Sequence, residues 1–127
     1  MSATAPVPPP SPDPGMVLAK ATLQAATLLG FTGTVLGKVI GLSEASISRI
    51  GTGERPLQPS TKEGELAALL VRAYAALDAM VGSDPQRRLA WLTSHNKALN
   101  GTPKELVQTV QGLVQVTSYL DSMRAKL

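Results

Sequence analysis

The stretch "VLGKVIGLSEASISRIGTGERPL", residues 35 to 57, decides how the chain is read. Two short packed helices joined by a tight turn need a small residue where they touch, a turn residue that tolerates a left-handed backbone, and apolar anchors on the inner face of the second helix. Gly37 supplies the first, Gly41 the second, and Leu36, Ile40, Leu42, Ile47 and Ile50 the third. Ser43 stands where the second helix needs a cap. The spacing therefore predicts a helix-turn-helix, with helices over residues 33–40 and 44–51.

This assignment turns Ser43, Glu44, Ala45, Ser48 and Arg49 outward, toward a DNA major groove. Arg49 is the one side chain among them able to grip guanine bidentately. Ser43 and Ser48 can bond bases or phosphates, Ala45 can meet a thymine methyl, and Glu44 can accept from cytosine N4 while repelling phosphate. Thr34, Lys38 and Arg55 are expected to hold the DNA backbone, which sets register and not sequence. Charge is sparse: residues 17–60 carry Lys20, Lys38, Arg49 and Arg55 against Glu44 and Glu54. A monomer neutralises few phosphates, so tight binding calls for a dimer or larger assembly with recognition helices about 34 Å apart.

Outward from this stretch the pattern stays helical. The 127 residues are 43% hydrophobic but only 3% aromatic, so aliphatic side chains must build the core, and the net charge of +3 is mildly basic. No cysteine is present, which excludes a disulfide framework and a thiolate metal site or nucleophile and fits a reducing cytoplasm. Six of the ten prolines fall between Pro6 and Pro14, giving a Pro-rich, disordered tail over residues 1–15 with neither the cationic start nor the apolar run of a signal peptide. A first helix is expected over Met16–Leu29, ended by Gly30. The division that follows is a DNA-binding domain over residues 16–59 and a helical domain over residues 60–127, all-α throughout.

In the second half, Ser60 and Glu63 are spaced as a capping box for a long helix over Thr61–Val81, and Thr102 and Glu105 repeat the spacing. Ser83 or Asp84 precedes Pro85 as the cap of another helix, on whose apolar face Trp91 lies as a core anchor, with Arg87 and Arg88 on its solvated side. The last segment shows two apolar seams, one through 106, 110, 113, 117 and 120 and one through Leu113, Val116, Leu120, Met123 and Leu127, more than one core face requires. Gly112 is a candidate break. Catalysis has little to work with: His95 is alone, and there is no GxSxG elbow, Walker loop or metal-ligand pair. Neither cofactor nor metal is expected.

The order of Arg72, Leu77, Val81–Gly82, Trp91–Leu92, Asn96, Leu99, Gly101, Pro103, Thr109, Gly112–Leu113, Val116, Tyr119–Leu120, Arg124 and Lys126 resembles the toxin-binding domain of the Xre/MbcA/ParS antitoxins. The preceding "ISRIGTGERPLQPSTKEGELAALLVR" is similar to that family's link from its Xre-type helix-turn-helix. The resemblance implies a type II antitoxin that neutralises a cognate toxin and represses its own operon. The partner it implies is a RES-domain toxin that degrades NAD or, in a related branch, an ADP-ribosyltransferase. The implied neutralising surface is the last helix and tail, here Leu113, Val116, Leu120, Met123, Arg124, Lys126 and Leu127, which would cover the toxin's active site. The Pro-rich tail has no counterpart in the family pattern, and Gln111 stands where the family favours Glu. The competing expectation is a free-standing regulator with a C-terminal dimerisation domain.

Overall fold

A computed structural model describes residues 5–8 and 12–126. Among these residues the secondary structure is α-helical, with seven helices and one isolated bridge between Asn96 and Gly101. Helix α1 spans Pro14–Leu28, α2 Gly33–Ile40, α3 Glu44–Gly51, α4 Lys62–Val81, α5 Pro85–Thr93, α6 Pro103–Leu106 and α7 Val110–Arg124. Two of these match the sequence expectation to the residue. The others differ at their ends, and the differences have local causes.

Helix α1 starts two residues before the expected Met16. Asp13 caps it, accepting from the Gly15 amide at 2.9 Å, and Pro14 takes the first helical position, where a missing N–H costs nothing. The expected tail therefore ends at residue 13. Residues 5–8 form no regular element, and residues 1–4 and 9–11 of that tail lie outside the described set.

The expected capping boxes are absent. Thr61, not Ser60, caps α4: its hydroxyl accepts from the Gly64 amide at 3.1 Å and donates to the Gln58 carbonyl at 2.7 Å. Glu63 is thereby released, and it pairs with Arg55 instead. At the other end of the chain Thr102 makes no side-chain cap bond, and the short α6 ends at Leu106. Thr109 then starts α7 with the same device, accepting from Gly112 at 3.0 Å and donating to the Leu106 carbonyl at 3.3 Å. The break lies over residues 107–109 and not at Gly112.

Both Thr-x-x-Gly starts depend on a bare glycine. A Cβ on Gly64 would sit 1.9 Å from the Gln58 carbonyl oxygen, and one on Gly112 would sit 1.9 Å from that of Leu106. The incoming chain lies directly on the first turn of each helix. These two helices are also the central pair of the fold, α7 lying along α4, while α1, α2 and α5 pack on other parts of α4.

One core runs through the whole molecule. Leu36, Val39 and Ile40 of α2, Leu70 and Leu77 of α4, and Leu113, Val116 and Leu120 of α7 belong to a single buried cluster. The two expected seams of α7 merge into one buried face, Leu113, Val116, Thr117 and Leu120, at the i, i+3, i+4, i+7 spacing of one helical stripe. Val110, expected within a seam, is 59% exposed. No single described helix is long and apolar enough to cross a membrane.

The close approach at Gly64 generates a test with a built-in contrast. Gly64→Ala is expected to lower the urea midpoint, a loss of about 1–3 kcal/mol of stability, as overpacking against backbone does. Gly51→Ala, where an added Cβ meets nothing within 4 Å, is expected to be neutral or to stabilise by about 0.5 kcal/mol.

Candidate functional site

The turn between α2 and α3 is built as its sequence requires. Thr32 caps α2, Gly41 takes a left-handed φ of 76°, and Ser43 caps α3 by accepting from the Ser46 amide at 3.2 Å. A Cβ on Gly37 would lie 2.5 Å from the Leu42 carbonyl oxygen, so a side chain there would push the two helices apart. Leu36, Ile40, Ile47 and Ile50 are buried beneath, and Leu42 is half-buried. Lys38, Ser43, Glu44, Ala45, Ser48 and Arg49 are exposed, as an outward reading face needs.

Four of the expected DNA contacts, Thr34, Glu44, Ser43 and Arg55, are engaged within the protein. The Thr34 hydroxyl donates to Glu44 Oε1, which ties the start of α2 to the start of α3. The Ser43 hydroxyl donates to Ser46 Oγ at 3.1 Å besides acting as cap. Arg55 is half-buried, with Nη1 donating to Ser46 Oγ at 2.8 Å and Nη2 pairing with Glu63 at 3.3 Å, so it clamps α3 to α4 and is not free for a phosphate. Ser46 is buried as the partner of that clamp. Among the described residues, no side-chain hydrogen bond or ion pair occupies Lys38, Ala45, Ser48 or Arg49.

Sequence reasoning missed the residue that joins the two halves. Arg88, expected on a solvated helix face, is only 5% exposed. Between α4 and α5 the chain turns through 118° at Gly82, Ser83 and Asp84, with Gly82 and Ser83 both at left-handed φ, and this swings Arg88 inward. Its Nη2 pairs with Asp78 Oδ1 at 2.7 Å, its Nη1 donates to the Leu28 carbonyl at 3.2 Å, and the guanidinium lies 5.5 Å from the Tyr74 ring centroid. Leu28 ends α1, so one cation satisfies the carbonyl terminus of α1, a carboxylate on α4 and an aromatic face. The Arg88 bond holds the Asp78 carboxyl below its ordinary range against a smaller opposing effect of burial, and the Ser83 hydroxyl adds a hydrogen bond at 3.0 Å. The sequence signal was present but weak: Asp78 and Arg88 flank a Gly-Ser-Asp-Pro turn.

Helix α7 sorts the residues expected to meet a toxin. Leu113, Val116 and Leu120 are at most 1% exposed and spend their apolar surface on the chain's own core, which removes them as direct contacts. Met123 is half-buried, Arg124 and Lys126 are exposed, and Leu127 lies outside the described residues. The outer face instead presents Val110 and Val114, 59% and 46% exposed, beside a shallow groove lined by Leu106, Thr109, Gln111, Gly112 and Gln115. Arg72 of α4 pairs with Asp121 of α7 at 2.5 Å, and Trp91 of α5 stacks on Tyr119 with ring centroids 6.4 Å apart. Trp91, expected as a core anchor, is half-buried and packs against the core without being part of it. His95 is exposed, and the described residues contain no cluster of three or more His, Cys, Asp or Glu side chains able to hold a metal.

Two family models match this chain. Residues 9–72 match the antitoxin Xre-like helix-turn-helix domain, and residues 76–126 match the antitoxin Xre/MbcA/ParS C-terminal toxin-binding domain. The junction between the two matches falls inside α4, not in the loop before it. A search of the curated proteins gave no match.

The Arg88–Asp78 pair carries a pH signature. Because the folded carboxyl titrates below its unfolded value of about 3.9, its contribution is complete above that pH and is lost as pH falls through the lower folded value. Asp78→Asn is expected to remove that part of the acid dependence in urea melts between about pH 5 and 2. Asp78→Ala, which leaves a buried guanidinium unpaired, is expected to cost about 3–5 kcal/mol at pH 7.

Proposed function

The chain belongs to the Xre/MbcA/ParS antitoxins, and from that premise we propose that it silences a RES-domain toxin that degrades NAD and represses the operon encoding both. The observation that carries this reading is the pairing, in one chain and on one shared helix, of an Xre-like helix-turn-helix with the family's toxin-binding domain. The antitoxin is not an enzyme; its chemistry is recognition.

For the toxin, the proposed contact is the end of α7 with the residues after it. Among the described residues, Met123, Arg124 and Lys126 are the part of the expected surface not spent on the core. Arg124 and Lys126 place two cations where a pocket shaped for a charged dinucleotide could receive them. Leu113, Val116 and Leu120 act indirectly, by fixing the axis of α7 on α4. An ADP-ribosyltransferase partner would use the same cationic tip for the same reason.

For DNA, Arg49 is the proposed guanine reader, Ser48 and Ala45 contact neighbouring positions, and Lys38 holds a phosphate. With Arg55 paired to Glu63, even fewer cations face the duplex than the sequence promised. Tight repression then needs several copies on one operator, as a homodimer or as a larger assembly with the toxin.

Co-expression with the toxin encoded beside it is expected to restore growth, and deletion of Arg124 to Leu127 is expected to abolish that rescue while the protein remains folded. Rescue that survives the deletion would remove the tail from the contact; an absence of rescue by the intact chain would remove the partnership. In gel-shift titrations Arg49→Ala is expected to weaken operator binding by about 1–3 kcal/mol and relax one base position. Lys38→Ala is expected to weaken specific and random DNA alike and reduce the salt slope by about 1.

A further inference from the structure

Glu44 is the one acidic side chain on the reading face, and it is held. It is the first residue of α3 and is exposed, yet its Oε1 accepts from the Thr34 hydroxyl across the turn. A carboxylate at the start of α3 favours the helix dipole, but toward phosphate it is a cost, since each negative charge there works against the polyanion. We infer that Glu44 reads a cytosine of the operator, with Thr34 as the positioning residue that fixes its carboxylate; this rests on the DNA-binding reading above.

The chemistry selects the base. With Oε1 engaged by Thr34, Oε2 remains to accept from an outward donor. In the major groove only cytosine N4 and adenine N6 donate. Guanine presents two acceptors, thymine presents an acceptor and a methyl group, and adenine sets the N7 acceptor beside its amino group, where it repels a carboxylate. Cytosine is the base left without a penalty. Placement agrees, because the N-terminal residues of a recognition helix are those that reach base edges.

Arg49 lies five residues further along α3, so the two side chains address different base pairs. Thr34 contributes by restricting Glu44 before DNA arrives, which reduces the rotamer freedom lost on binding. It was expected to hold a phosphate. In the structure its hydroxyl proton is committed to Glu44, and the role assigned to it changes accordingly.

Selection from a random-sequence duplex library with the full-length chain tests this. The wild type is expected to enrich a site with cytosine at one position that Glu44→Gln converts to adenine, because an amide takes N6 and N7 together. The remaining positions, including the guanine lost in Arg49→Ala, stay as they were. Thr34→Val is expected to keep the cytosine but weaken its preference by about threefold to tenfold, the range of one hydrogen bond, and Thr34→Ser to restore it. If Glu44→Gln selects the same bases at every position while binding all DNA more tightly, the carboxylate only repels phosphate and the inference fails, with the DNA-binding reading intact. If the wild type enriches no sequence, both fail.

Discussion

The buried guanidinium of Arg88 is the constraint on which the arrangement of the two halves depends. Removing a cation from water costs several kcal/mol, and burial is tolerated only where charge and hydrogen bonds are returned in good geometry. Here the returns come from three directions, a carboxylate on α4, the carbonyl end of α1 and the face of Tyr74, while Nε stays buried without a partner among the described residues. None of these can move far without stranding the charge. The helix-turn-helix, which α1 helps to support, is therefore held at a fixed disposition to α4 and α5, which carry the start of the toxin-binding region.

Helix α4 extends that rigidity. A single apolar cluster reaches from α1 and α2 through α4 to α7, and the junction between the two family matches falls within α4 itself. A helix cannot bend there without a Pro, an unpaired turn or an inserted side chain, and the α4 sequence supplies none of these at the junction. Division at residue 59 or 60, natural from the Gly- and Pro-rich loop, describes the chain's punctuation but not its packing. One core serves both functions. The contacts proposed for toxin, at the end of α7, and for DNA, on α3, therefore share a common framework.

Much of this was legible in the sequence because it rests on local chemistry. Gly37, Gly41 and Ser43 define the turn whatever surrounds them, and Asp84 before Pro85 caps α5 by the same logic. The errors arose where two local solutions compete. Ser60 and Glu63 have capping-box spacing, but Thr61 also has a hydroxyl, and a glycine three residues on lets the incoming carbonyl lie against the helix; Arg55 then claims Glu63. Thr109 and Gly112 repeat that solution, and spacing alone did not separate it from a continuous last helix.

Long-range partners were the least legible part. Nothing near Arg88 in sequence announces a carbonyl sixty residues away, and nothing near Thr34 announces that Glu44 will take its proton. The candidate contacts divided accordingly. Ala45, Ser48, Arg49 and Lys38 remained on the surface because helix period alone decides their direction. Leu113, Val116 and Leu120 turned inward because α7 needs a full stripe to lie along α4, which leaves Val110 and Val114 outside.

With the proposed sites on one rigid framework, a single antitoxin assembly would hold toxin and operator together. The test is native mass spectrometry of the chain mixed with its cognate toxin and an operator duplex. The expected result is a single species containing all three, with the antitoxin in more than one copy. Separate antitoxin–toxin and antitoxin–DNA species, with no particle holding both partners, would contradict it.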